Sequence, residues 1–238
     1  MANFPFQRLQ ADLAALINKT PAGQRLPSEP DLAKQLGVSR ATLREAMRSF
    51  ETQGLIRRRQ GSGTFVVGKV QALDSGLEVL ESLETIAKRM GLEVSVSDLN
   101  VEIVSADEEL ASSLNVTADA KLTRVRRVIR AEGRPVAYLV DVLPEDVLQP
   151  KDLPSDFNGS VLDFLLHRGD ALTSSRANVS AIGAPADVAK PMEIQRGDVL
   201  LHFNAQLFDA NGKAVDTSFS YFIPGYFHFH IVRRVGGS

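Results

Sequence analysis

The chain has 238 residues, 44% of them apolar and 24% charged, with a net charge of −2 and no cysteine. That length carries one large or two small packed domains, and the absence of thiols excludes a disulfide framework and thiolate metal sites. The apolar runs are too short for a membrane span and "MANFPFQRLQ" lacks the apolar core of a secretory signal, so the expectation is a cytoplasmic protein.

The charge is unevenly spread. Residues 1–69 hold 11 Lys+Arg against 5 Asp+Glu, and the remainder hold 16 against 24. A basic segment joined to an acidic one suits separate tasks, with the basic part facing a polyanion; clustering of solvated charge is the plainer alternative.

Phe6, Leu9, Leu13 and Leu16 recur at helical spacing and predict a first helix, ended by "NKTPAG". In "LPSEPDLAKQLG", Ser28 and Asp31 predict an N-cap pair and Gly37 a stop. Ser39 caps a third predicted helix that runs to about Gln53, with Gly54 ending it. "LIRRRQGSGTFVV" predicts a hairpin around "QGSG".

On the third helix Leu43, Ala46, Met47 and Phe50 share an arc of about 100°, and Arg40, Arg44 and Arg48 fill an adjacent arc of about 80°. Packing the first arc on the other helices leaves the second facing out, as a helix lying along a phosphate-walled groove requires. The four residues "LGVS" suit a helix-turn-helix, and the hairpin suits a wing. Arg40 and Arg44 are candidate readers of guanine edges or phosphates. Arg48 either meets phosphate or pairs with Glu45 or Glu51. The Arg57–Arg59 run alternates along a strand, so at most part of it faces DNA.

These readings divide the chain into domains at 1–68 and 77–238, with "GKVQALDSG" giving a linker over 69–76. The second half alternates. A helix fits "LEVLESLETIAKRMG". Strands fit "EVSVSDLNVEIVS", "KLTRVRRVIRA", "RPVAYLVDVLP", "LTSSRANVSAIG", "DVLLHFNAQLFDA", "KAVDTSFSYFI" and "FHFHIVRRV". Short helices fit "ADEELASSL", "GSVLDFLLHRG" and "PADVAKPMEI". "AEGR" and "DANGK" are turn signals, and Asn211-Gly212 suits a type I′ hairpin. The sum is an α+β domain, an antiparallel sheet with helices on one side.

Alternation puts Arg124, Arg126 and Arg130 on one strand face and Arg127 on the other, inward face. An inward arginine needs an anion, either a ligand or Asp141 or Asp216. His228 and His230 share a strand face, which hints at metal. No acidic or cysteine partner stands at ligand spacing, so core or surface histidines are the expectation, with Phe227, Phe229 and Ile231 pointing inward.

"LPSEPDLAKQLGVSRATLREAMRSFETQGLIRRRQGSGTFV" closely resembles the winged helix-turn-helix of the GntR family of bacterial transcription regulators. "RVIRAEGRPVAYLVDVLP", "GSVLDFLLHRG" and "RGDVLLHFNAQLFDANGKAVDTSFSYF" look like the UTRA effector domain of its HutC-type branch, whose fold is similar to chorismate lyase. The resemblance implies a cytoplasmic homodimeric repressor that binds an inverted-repeat operator and answers to a small effector, with no cofactor and no metal. It implies DNA contacts at Ser39, Arg40, Thr42, Arg44 and Arg48, with Gln60 and Gly61 at the wing tip. Pro30 stands where relatives often carry a DNA-contacting arginine. It implies effector contacts at Arg127, Ser160, Asp216, Tyr221, Phe222 and Thr85; Glu84 and Thr85 otherwise read as helix surface. Ile129 replaces the second of two arginines usual in the family. With that cation lost, a carboxylate or a polar neutral metabolite fits better than a phosphosugar.

Two other readings stand beside this one. The lyase-like domain could be an enzyme acting on a small carboxylate through Asp216, Arg127 and Tyr221, with a DNA-binding head. Alternatively the protein is an architectural DNA binder with an unliganded second domain.

Overall fold

The computed structural model describes residues 4–232 apart from 22, 53, 60, 61, 68–72 and 158. The chain divides into two compact units, Met1–Ala72 and Leu73–Ser238.

The first unit contains α1 (Phe4–Lys19), α2 (Glu29–Leu36), α3 (Arg40–Thr52) and a hairpin of β1 (Ile56–Arg59) and β2 (Gly63–Val66). Its core joins Leu9, Leu13 and Ile17 of α1, Leu32 of α2, Leu43, Ala46, Met47 and Phe50 of α3, and Ile56 and Val66 of the hairpin. Local chemistry fixes the turn between α2 and α3. The Ser28 hydroxyl accepts from the Asp31 N–H at the start of α2. Gly37 ends that helix at φ 67°, ψ 31°, a left-handed conformation open to glycine at little cost. Ser39 then caps α3, accepting from the Thr42 N–H at 3.1 Å. Gly63 meets a different demand: a Cβ there would collide with the guanidinium of Arg25, whose backbone bridges Phe65 and adds a third strand position beside the wing hairpin.

The second unit is built on an antiparallel sheet among the described residues. Its strands lie in the order β4 (Val94–Ser105), β5 (Lys121–Ala131), β6 (Arg134–Pro144), β9 (Ala214–Phe222), β8 (Val199–Asp209) and β7 (Leu172–Gly183). Helices cover both faces rather than the one expected from sequence. Val161 and Leu165 of α6 (Val161–Arg168) pack with Val125, Leu207 and Val215. Ala111 and Leu114 of α5 (Glu108–Leu114) pack on the opposite face with Leu122, Val142 and Ala214. The sheet can take both because β5 and β6 alternate apolar residues to each side over eleven positions.

Other elements also depart from the sequence reading. Leu73–Gly76, expected as linker, forms β3 and pairs in parallel with β10 (Phe227–His230). Residues 68–72, the rest of that expected linker, lie outside the described residues. The helix expected from residue 77 begins only at Leu83, where Ser82 caps α4 (Leu83–Arg89). α7 is a single turn, Ala186–Ala189. Ile231 lies beyond the end of β10 and is exposed. At Asn211-Gly212 only the glycine has positive φ, so the turn is not type I′; Asp209 Oδ1 instead accepts from the N–H groups of Asn211 and Lys213.

Candidate DNA-binding surface and effector site

On α3 the buried residues Leu43, Ala46, Met47 and Phe50 fix the helix from behind. Ser39, Arg40, Thr42 and Arg44 are exposed on its other side. The amphipathic division read from spacing is therefore realised within the unit. Arg44 is held in place, its Nε donating to Glu29 Oε2 at 2.6 Å. Glu29 also lies 3.9 Å from Nε of Arg58, and Arg58 donates to the Arg44 carbonyl at 3.3 Å. This small network orients Arg44, and sequence spacing did not signal it because Glu29 lies on α2. Arg48 is half-buried, with Glu45 at 3.9 Å. Arg57 is exposed, while Arg58 on the other strand face is tied to Glu29 and Glu51. Gln60 and Gly61, the expected wing tip, lie outside the described residues.

In the second unit, register decides which side chains meet. Arg127 is opposite Leu139, Asp141 opposite Ser218, and Ala137 opposite Phe222, so these residues share the face that carries α6. Arg127 is 4% exposed and contacts Asp141 directly. Glu84, from the first turn of α4, brings Oε1 to 3.8 Å from its Nε. Asp216 is buried beside a register shift in β9, where the paired ladder with β6 ends at Val142–Thr217. Its carboxylate accepts the Val142 N–H at 3.1 Å. Neither carboxylate oxygen of Glu84 nor Nε of Arg127 has a hydrogen-bond partner among the described residues.

The electrostatics follow from this crowding. Burial, with the nearby Asp141 charge, pushes the Asp216 carboxyl well above its ordinary value. Burial also raises Glu84, against the pull of Arg127. Burial works against the Arg127 charge, but Asp141 and Glu84 outweigh it and keep the guanidinium firmly protonated.

Two helix N-termini close the site. Ser82 caps α4 by accepting from the Thr85 N–H at 3.0 Å and donates to Asp163 at 2.6 Å. Asp163 in turn donates its N–H to Ser160, the buried cap of α6, at 3.1 Å. Arg127, Asp216 and Ser160 therefore belong to one region, with Thr85 at its edge, its side chain exposed. Phe222 shares the sheet face but is buried in an aromatic cluster with Phe203, Phe227 and Phe229. Tyr221 does not join them. It pairs with Tyr138 and His202 on the opposite face, because adjacent strand residues point to opposite sides. There it lines a separate pocket of about 240 Å³ with Arg124, Arg126, Tyr138, Phe219 and Asp187. An enzyme acting through Asp216, Arg127 and Tyr221 together is thereby excluded as a geometry. Glu84 and Asp141 are the members of the buried cluster that spacing did not assign to an effector.

Among the described residues no helix is long and apolar enough to cross a membrane. Residues 6–66 match the family model described as bacterial regulatory proteins of the gntR family, and residues 89–228 match the UTRA domain model. The HTH-type transcriptional repressor NagR of Bacillus subtilis is 28% identical over 193 residues, covering 80% of this chain and 78% of that protein. A probable fructoselysine utilization operon transcriptional repressor of Escherichia coli K12 is 26% identical over 213 residues, covering 89% of this chain and 86% of its own. The crystal structure of PhnF from Mycobacterium smegmatis superimposes with a TM-score of 0.65 at 24% identity, over 96% of this chain and all of that one, which establishes a shared fold.

Proposed function

Because the chain belongs to the GntR family of bacterial regulators, in its HutC-type branch with a UTRA effector domain, we propose that it is a cytoplasmic homodimeric repressor. It reads an inverted-repeat operator with α3 and is modulated by a small polar effector bound beside Arg127. It is a DNA-binding transcription regulator, not an enzyme.

The observation that carries the reading is the two-sided α3, buttressed by buried apolar residues and presenting Ser39, Arg40, Thr42 and Arg44 outward. A capped N-terminus with free N–H groups and two arginines suits the major groove. Arg48 adds a phosphate contact at the groove edge, and Gln60 and Gly61 make the wing-tip contacts. The working domains are 1–68 and, with β3 included, 73–238.

Support for the homodimer comes from β7, the sheet edge, where every residue but Leu172 and Ile182 is exposed. A long, open edge strand of this kind is one that native proteins cover. Two copies place two recognition helices in successive major grooves about 34 Å apart.

The effector is a hydrogen-bond donor rather than an anion. Arg127 already has Asp141, and the two oxygens of Glu84, which accept no hydrogen bond among the described residues, call for hydroxyl or amine donors. A neutral polyhydroxyl compound or an amine fits that lining, with one acceptor for Nε of Arg127. Ser160, Asp216 and Thr85 complete the near side; Phe222 supports it, and Tyr221 stands apart. The effector acts by binding one dimer arrangement more tightly than the other.

The test is operator binding by fluorescence anisotropy, with effectors first found by thermal shift across a metabolite panel. A hit stabilises the protein, is not converted, and shifts operator affinity; loss of that response in Glu84→Gln ties it to this site. A hit that is turned over, or one that leaves DNA binding unchanged, refutes the reading. An architectural DNA binder would show no hit.

A further inference from the structure

β10 is the final strand among the described residues and carries His228 and His230 on one face. It lies parallel to β3, with His228 opposite Asp74 and His230 opposite Gly76. Phe227 and Phe229 turn the other way, into the aromatic cluster with Phe203 and Phe222, so the imidazoles point outward. Asp74 reaches both of them. Its Oδ1 is 3.3 Å from Nδ1 of His228 and 3.0 Å from Nδ1 of His230. One donor atom from each residue falls within 4.8 Å of the others. The carboxylate of Glu78 leans over the same patch: a Cβ on Gly76 would stand 2.3 Å from Glu78 Oε2 and 3.5 Å from His230 Nε2.

We propose that Asp74, His228 and His230 form a surface site for a divalent transition-metal ion of the zinc class, which fastens the first strand of the effector unit to its last. A tetrahedral ion with bonds of about 2.0–2.1 Å holds its ligand atoms roughly 3.3 Å apart. The two carboxylate–imidazole separations lie at or just under that edge length. Two imidazoles and one carboxylate suit zinc, nickel or copper, whereas calcium and magnesium take oxygen-rich sets. All three side chains are exposed, at 54%, 71% and 45% for Asp74, His228 and His230, so an ion can enter and water can complete its shell. The donors stand on paired strands, so their spacing is set before any ion arrives.

The position gives the site a consequence. β3 follows directly on residues 68–72, the connection to the DNA-binding unit. An ion that pins β3 to β10 stiffens the point from which that connection leaves.

Metal-free full-length protein is titrated with Zn2+ and Co2+ by calorimetry and visible absorbance. The expected result is one ion per chain with micromolar affinity, a Co2+ spectrum displaced by Zn2+, and a Tm that rises with added Zn2+. His228→Ala, His230→Ala and Asp74→Asn each weaken binding at least about tenfold, while His167→Ala and His202→Ala leave it unchanged. Metal-free melting of the three ligand variants matches the parent, which separates loss of the site from loss of the fold. Absence of stoichiometric binding overturns the proposal, as does binding that survives His228→Ala combined with His230→Ala.

Discussion

Replacing Arg127 by methionine tests the central claim about the effector unit. The guanidinium is 4% exposed and contacts Asp141, with Glu84 at 3.8 Å and Asp216 nearby. Methionine fills much of the same volume but leaves these carboxylates buried without their cation. Breaking a buried pair in this way costs about 3–5 kcal/mol. For a domain of this size each kcal/mol moves Tm by about 2–4 °C, so the expected fall is roughly 6–20 °C. The assay is differential scanning calorimetry with urea titration, following the transition of the effector unit. The deficit shrinks as pH falls, because Glu84 and Asp216, whose carboxyls burial already raises, then take up protons. Adding Asp141→Leu to Arg127→Met removes one stranded charge and recovers part of the loss. A deficit under about 1 kcal/mol, or a double variant no more stable than the single one, refutes the buried-cluster reading.

Further outcomes follow from the same geometry. Arg40→Ala and Arg44→Ala each weaken operator binding by about 1–3 kcal/mol. Each also lowers the slope of log affinity against log salt by about 1 where the lost contact is to phosphate, with the fold unchanged by circular dichroism. Asp216→Asn keeps the acceptor for the Val142 N–H and removes the charge. Because the folded carboxyl is raised above its ordinary 3.8, the native state holds the proton more tightly. The wild-type contribution from this group is therefore full at low pH and declines as pH climbs from about 4 through the raised value. The substituted protein lacks that declining limb and is the more stable at neutral pH, as urea unfolding across pH will register. Gly37→Ala meets no atom within 4 Å, so its cost is purely conformational, about 1–2 kcal/mol in thermal unfolding.

The first unit was largely legible in sequence because its determinants are local. Ser28, Gly37 and Ser39 act within four residues of their partners, and the apolar spacing of α3 matches its buried face. The Arg44–Glu29 contact spans two helices and left no such trace. In the effector unit, the strand period marked Arg127 as inward. It could not show that Glu84 arrives from a helix 43 positions earlier, nor that α5 and α6 take opposite faces. The same period separates Tyr221 from Phe222, and both had been assigned to one site from the resemblance. Asp74 was hidden more deeply. It sits in a short polar stretch without periodicity, and only pairing with a strand 154 residues later makes it part of a sheet.

That late pairing has a consequence for synthesis. Every core contact of the first unit lies within residues 6–66, so the DNA-reading head can fold once its own segment has cleared the ribosome. β3 must wait for β10, which at about 5–20 residues per second emerges roughly 8–30 s later. A nascent or prematurely stopped chain therefore carries a finished reading head on an unsealed sensor, and a fragment ending before residue 227 presents that head without a closed effector unit to govern it.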